Sequence, residues 1–228
     1  MQAASAAQPR SPLSKQRVLG AAVAQADEGG VDALSMRRIA QALGVVPMAL
    51  YKHVANKNEL LDGMIDVLLG EIDPPAADTD WKTAVRGRVL SARRMLLRHP
   101  WASEVIESRI KARANPTPAV MEYLDSMIGI FRAGGFPMDL VHHAMHVMGS
   151  RLLGFSQELF VDSADREPDP DALPPEEMAA RYPHITALAM SVAHDRDSVV
   201  GSGCDDQFEF EFALDLTLDG LERLLGRS

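Results

Sequence analysis

The residues best equipped for chemistry are concentrated in one stretch, LSMRRIAQALGVVPMALYKHV at 34–54. Arg37, Arg38 and Lys52, with Lys57 just beyond, are cations able to meet phosphate, and Tyr51 and His53 add polar tips to apolar bodies. Two short helices joined through Gly44 make a helix-turn-helix, in which the first helix braces against the backbone of a duplex and the second enters the major groove. Helix-glycine-helix is also a common corner in helical proteins, and the spacing alone does not separate the two readings. Residues 1–57 carry seven Lys and Arg (Arg10, Lys15, Arg17, Arg37, Arg38, Lys52, Lys57) against three acids (Asp27, Glu28, Asp32), a net of +4, and the remaining 171 residues therefore carry −13 of the chain's total of −9. A basic end that can approach phosphate and an acidic body that cannot is the asymmetry of a two-part DNA regulator.

No other stretch makes an equal case. The chain has no G-x-S-x-G elbow, no phosphate-cradling G-x-x-x-x-G-K, no H-E-x-x-H and no C-x-x-C, which argues against an enzyme. His142 and His146 lie one helical turn apart and could share a metal, but no neighbouring Cys or carboxylate completes a ligand set, so neither metal nor cofactor is expected. Cys204 is the single cysteine and cannot close an internal disulfide, in keeping with a reducing, cytoplasmic setting. Hydrophobic residues make up 46% and charged residues 24%, a globular balance, and no apolar run approaches the ~20 residues of a membrane helix. Residues 1–12 lack the apolar middle of a secretory signal and read as a disordered tail.

The elements that must position these groups read as helices throughout. Ser14 caps the first, with Leu13 and Val18 as a hydrophobic staple, and Gly29 and Gly30 end it. Ser35 is placed to cap the second, whose Met36, Ile39, Ala40 and Leu43 share one face before Gly44 stops it. A third starts near Val46, with Pro47 where its missing amide is harmless, and reaches about His53. Asn56 and Glu59 open the fourth, over 56–72. Further helices are expected at 80–98, 101–113, 117–133 and 138–161, a loop at 162–177, where acids and prolines dominate, and one helix at 176–194. Over 204–225 the alternation of Phe208, Phe210, Phe212, Leu214, Leu216 and Leu218 has the period of a strand, but a lone strand has no partner, so a helix is expected. The total is nine or ten helices. A tail helix apolar on several sides needs a cover, and a second copy of the chain supplies it.

The run LSMRRIAQALGVVPMALYKHVANKNELLDGM resembles the DNA-binding region of the TetR family, through the turn at Ala42 to Gly44, LYKHV at Leu50 to Val54 and the helix opening at Asn56 to Leu60. The resemblance implies that Arg37 contacts DNA, that Val46, Pro47, Met48 and Ala49 form the front of the recognition helix, and that Tyr51, Lys52, His53 and Lys57 lie against bases or phosphates. Tyr51 could equally bury its ring, and His53 could simply pack at a helix end. Val46, Pro47, Met48 and Ala49 offer no bidentate hydrogen bond to a base, so readout there falls to shape and thymine methyls, and polar reading to Arg37, Lys52 and Tyr51.

Trp81, the LLRHPW run at Leu96 to Trp101 and the FEFALDLTLDGLERLL tail are similar to the C-terminal domain of tetracycline-repressor-like regulators. That class chelates magnesium-tetracycline through a histidine that SEVIESR at Ser103 to Arg109 does not supply, which puts tetracycline in doubt. The organisation implied is a helix-turn-helix domain at 13–58 and a larger ligand-binding and dimerisation domain at 59–228. Candidate ligand residues are His99 and Trp101, at a helix break, and His142, Met145 and His146, a polar stripe inside a cavity or at a dimer seam. The partners implied are double-stranded DNA with a pseudo-palindromic operator, a small-molecule inducer of unknown identity and a second protomer. The function implied is a repressor released by that inducer. A helical scaffold that binds protein through its apolar tail, without touching DNA, is the alternative.

Overall fold

Ser14 opens the first helix as its spacing predicts: the hydroxyl accepts the Arg17 amide at 3.3 Å, and α1 runs Lys15–Gly29. The computed structural model describes residues 12–112, 115–154, 174–192 and 206–227. Among them all regular structure is helical: α2 Met36–Leu43, α3 Pro47–Leu50, α4 Lys57–Leu69, α5 Trp81–Arg98, α6 Ala102–Lys111, α7 Pro118–Ala133, α8 Met138–Gly154, α9 Pro175–Arg181, α10 Pro183–Val192 and α11 Asp206–Leu225, with one 3-10 turn at Val31–Ala33. The chain forms two compact units, one of Met1–Asp78 with Gly87–Ile130, the other of Thr79–Arg86 with Phe131–Ser228.

In the first unit α1 packs against α2 and α4, and α2 against α3. The core they enclose holds Val18, Leu19, Ala22 and Val23 of α1, Ile39 and Ala40 of α2, and Leu60, Met64 and Leu68 of α4, all buried. Gly63 lets α1 and α4 close: a Cβ there would stand 2.7 Å from a methyl of Leu19. In the second unit Trp81 meets the Phe136 ring edge-on with centroids 4.6 Å apart, and Phe131 and Phe136 lie 5.2 Å apart. Gly134 is required beside that cluster, since a Cβ would stand 2.6 Å from Trp81 Cγ. There too Arg86 reaches Asp215 and Glu211, both at 2.7 Å, and Lys82 reaches Asp219 at 2.6 Å and Glu222 at 2.8 Å, tying the start of α5 along α11.

Three expectations need correction. The described residues hold eleven helices rather than nine or ten, because the helix expected over 176–194 is two. Pro183 has no amide to donate and disfavours helical backbone at Tyr182, which adopts φ −132° and ψ 62° between α9 and α10. The loop expected over 162–177 gives way earlier, since Pro175, Glu176 and Glu177 form the first turn of α9, with proline at the first position and acids beside the positive end of the helix. The fourth helix stops at Leu69, with Gly70 as its cap, rather than at 72. The tail segment is a helix despite its strand-like alternation, and Phe210, Leu214, Leu218 and Leu221 form its buried face. Cys204, residues 162–173 and all but Pro12 of the expected N-terminal tail lie outside the described residues.

Candidate nucleic-acid interface

The turn between α2 and α3 is built by Gly44, at φ 68° and ψ 35°, a left-handed conformation that costs glycine nothing. Its amide donates to Gln41 O at 3.1 Å and the Val45 amide to Ala40 O at 2.9 Å, the paired bonds that close a helix end and redirect the chain. Ser35 occupies the position before α2, but its hydroxyl makes no capping bond. Its amide donates instead to Gln25 Oε1 of α1 at 3.3 Å, so α2 is braced by its neighbour.

Pro47 then starts a helix of only four residues, continued by bonds from His53 and Val54 amides to Leu50 O at 2.8 and 3.0 Å. The distribution of side chains on this short piece is the central observation. Leu50 and Val54 are 0% and 1% exposed, whereas Val46 and Met48 are 67% and 73% exposed. Pro47 and Lys52 are exposed too, Tyr51 is exposed despite its ring, and Ala49 and His53 are half-buried. Arg37 and Arg38 of α2 and Lys57 at the start of α4 are exposed as well. Large apolar side chains are rarely left in water side by side without a surface to meet.

Behind the tip, Asn56 Oδ1 accepts the Glu59 amide at 2.9 Å and Glu59 Oε2 accepts the Ala55 amide at 2.8 Å. Lys15 of α1 reaches Glu59 at 3.2 Å. The Ala55 amide and then Lys15 hold the Glu59 carboxyl below the usual carboxylate range. Lys57 therefore projects from a fixed helix start.

Two family models cover most of the chain. "Bacterial regulatory proteins, tetR family" matches residues 18–64 and "Tetracyclin repressor-like, C-terminal domain" matches residues 74–225. The chain belongs to the TetR family. The HTH-type transcriptional repressor DrrR1 of Streptomyces coeruleorubidus is 31% identical to it over 96% of this chain and 81% of that one. Among solved structures, the TetR family protein ActR of Streptomyces coelicolor in complex with actinorhodin is 25% identical, with a TM-score of 0.67 over 95% of this chain and 100% of the other. BioQ with its natural double-stranded DNA operator is 25% identical, with a TM-score of 0.59 over 92% and 98%.

The ligand candidates of this TetR-family chain occupy two different settings. His99, at the end of α5, is buried between two carboxylates, with Nδ1 2.7 Å from Asp27 Oδ1 and Nε2 3.3 Å from Glu71 Oε2. The Trp101 indole donates to the same Asp27 oxygen at 2.7 Å. Their polar atoms are thus engaged within the protein. His142 and His146 are exposed on α8 with ring centroids 4.6 Å apart, and Met145 beside them is half-buried. A residue that sequence reasoning missed is Asp62 of α4, bonded at two points by Arg109 of α6 at 2.6 and 2.7 Å. Partners 47 positions apart leave no local pattern by which a reader of the sequence could find them.

Proposed function

We propose that this TetR-family chain is a ligand-responsive transcriptional repressor, which as a homodimer grips a pseudo-palindromic operator in double-stranded DNA and leaves it when a small molecule binds. The observation that carries the reading is the four-residue helix whose Leu50 is sealed inside while Val46, Pro47 and Met48 are exposed, as are Arg37, Lys52 and Lys57. Helix-turn-helix proteins present that kind of probe to the major groove, with cations on the flanking phosphates. BioQ in complex with its operator, ActR in complex with actinorhodin and the DrrR1 repressor support the DNA, ligand and repression parts respectively.

The dimer is proposed to form through α8 and α11, which pack together in the second unit. α11 exposes Phe212 and Leu216 on the side away from its buried face, and α8 exposes Val147; paired across a two-fold axis these make a four-helix interface. His142, Met145 and His146 are proposed to line the seam or an inducer site next to it. His99 and Trp101 are proposed to act by fixing the junction of α5 and α6. DNA reading is assigned to 13–58 and ligand binding with dimerisation to 59–228. A protein of this kind acts by binding rather than by catalysis, and works in the cytoplasm, where its DNA is; no described helix is long and apolar enough to cross a membrane.

The test is a gel shift of the purified chain against DNA from around its own gene, repeated across salt concentrations. Retardation that weakens steeply with salt is expected, because phosphate contacts release counterions. A chain that ignores every duplex at low ionic strength would instead be a helical protein-binding scaffold.

A further inference from the structure

Arg88 of α5 is 7% exposed, and its surroundings treat it differently from the other arginines whose ion pairs are described. Among the described residues its guanidinium makes one hydrogen bond, from Nη1 to the main-chain oxygen of Asp73 at 3.5 Å, at the outer limit of such a bond. Nε is fully buried and has no partner among the described residues. The face of the guanidinium lies over the Tyr123 ring of α7, 4.9 Å from its centre, which eases the charge without offering an acceptor. The obvious counter-charge is taken: Asp73 Oδ2 accepts from the Ser91 hydroxyl at 2.8 Å and from Arg94 Nη2 at 2.7 Å. Arg94 is exposed and has a carboxylate; Arg88 is buried and has none among the described residues.

A cation taken out of water is ordinarily paired, because leaving it alone costs more than the protein gains by packing it. We propose that Arg88 is the anchor for an anionic group on the inducer, so that the molecule sensed here is a small organic acid presenting a carboxylate to the guanidinium. A guanidinium edge offers two parallel N–H donors, the spacing of the two oxygens of a carboxylate. A single arginine in a body carrying −13 beyond residue 57 favours a monoanion over a phosphate or a dicarboxylate, which that field repels more strongly. Burial pushes the Tyr123 hydroxyl up, with the Arg88 charge pulling the other way, so the ring beneath the cation stays a neutral phenol and does not itself supply the negative charge. The proposal rests on the regulator reading only for the word inducer; the binding site stands apart from it.

The experiment uses the full chain and its Arg88→Met variant, with benzoate, octanoate and hexanoate as probes and the corresponding amides as uncharged controls at matched ionic strength. Without probe, Arg88→Met is expected to melt within about 2 °C of the parent or above it, since removing an uncompensated buried charge relieves the fold. At least one carboxylate is expected to raise the parent's Tm, its amide to leave it unmoved, and Arg88→Met to bind that carboxylate at least about tenfold more weakly by calorimetry, a loss of roughly 1.4 kcal/mol. The proposal is overturned if Arg88→Met alone melts more than about 2 °C lower, which would make Arg88 a structural strut. It is overturned equally if no carboxylate shifts the parent, or if the variant responds as the parent does. A gel shift run in parallel separates the two proposals: carboxylate binding without DNA binding removes the repressor reading alone, and DNA binding without a carboxylate response removes the Arg88 assignment alone.

Discussion

Arg109 holds Asp62 at two points, Nε to Oδ1 at 2.6 Å and Nη2 to Oδ2 at 2.7 Å, and so locks α6 to α4, the helix that follows the proposed DNA probe. With side chains 18% and 27% exposed, the pair is partly shielded from water, and charge-assisted two-point bonds are the stronger kind. Arg109→Met should lower stability by about 1.5–3 kcal/mol, chiefly by leaving the Asp62 carboxylate without its partner. Asp62→Asn should cost a similar amount, and the double variant less than the sum of the two, as read from urea melts in a double-mutant cycle. Additive losses would mean that the two side chains do not depend on each other.

At the probe itself, apolar reading and phosphate gripping should separate by experiment. Once a bound site has been selected from random duplexes, replacing thymine by deoxyuridine at positions facing Met48 and Val46 should weaken binding, because only the methyl is lost. Met48→Ala should abolish that sensitivity. Lys57→Ala should weaken all sequences alike and reduce the slope of log affinity against log salt by about 1. A Lys57 variant with altered base preference, or a Met48 variant with none, would contradict the assignment.

Acid should unfold this chain early. Ser91 first, then Arg94, draw the Asp73 carboxyl down, and Lys82 does so for Asp219. At Glu71 burial pushes up, but hydrogen bonds from Arg98 and His99 outweigh it and leave the carboxyl below its ordinary range. A group depressed in the folded state binds its proton more readily once unfolded, so its contribution is complete above the ordinary carboxylate pKa of about 4 and disappears as pH falls through the lower folded value. The Tm should be nearly flat from neutrality to about pH 5 and drop below it. Glu71→Gln should start lower at neutrality and fall less steeply; a slope equal to the parent's would remove Glu71 from this account.

Two glycines of one segment should respond in opposite directions to the same methyl. Gly134→Ala would place Cβ 2.6 Å from Trp81 Cγ and 2.7 Å from its Cβ, the root of a large, half-buried ring that is packed on Phe131 and Phe136. A loss of about 1–3 kcal/mol is expected. Gly129, inside α7, meets nothing within 4 Å, and Gly129→Ala should gain about 0.5–1 kcal/mol through helix propensity. Thermal melts of both variants decide it.

What was legible in the sequence was what local chemistry writes. Ser14, Asn56 with Glu59, and Gly44 announce helix ends because each satisfies groups within a few residues of itself. Ser35 shows the limit: it sits at the right place but is braced by Gln25, ten residues upstream, through its amide rather than its hydroxyl. Pro183 carries a breaking signal of its own, and it divides the segment into α9 and α10 although one helix was expected there. The His99, Asp27, Glu71 and Trp101 cluster, the Arg109 clamp and the isolation of Arg88 depend on residues far apart in the chain, and no window of sequence contains them. In α11 the alternation was misleading in period but not in content: Phe210 and Leu214 are covered while Phe212 and Leu216 are not, so apolar residues occupy two sides of one helix.

The proposed DNA probe is rooted in the protein by Leu50 and Val54, while the side chains of Val46, Pro47 and Met48 carry almost none of the core. Its outward lettering can therefore be rewritten with little penalty to folding. Duplicated copies of such a chain are free to acquire new target sites by drift at three or four codons, with the sensing half inherited intact.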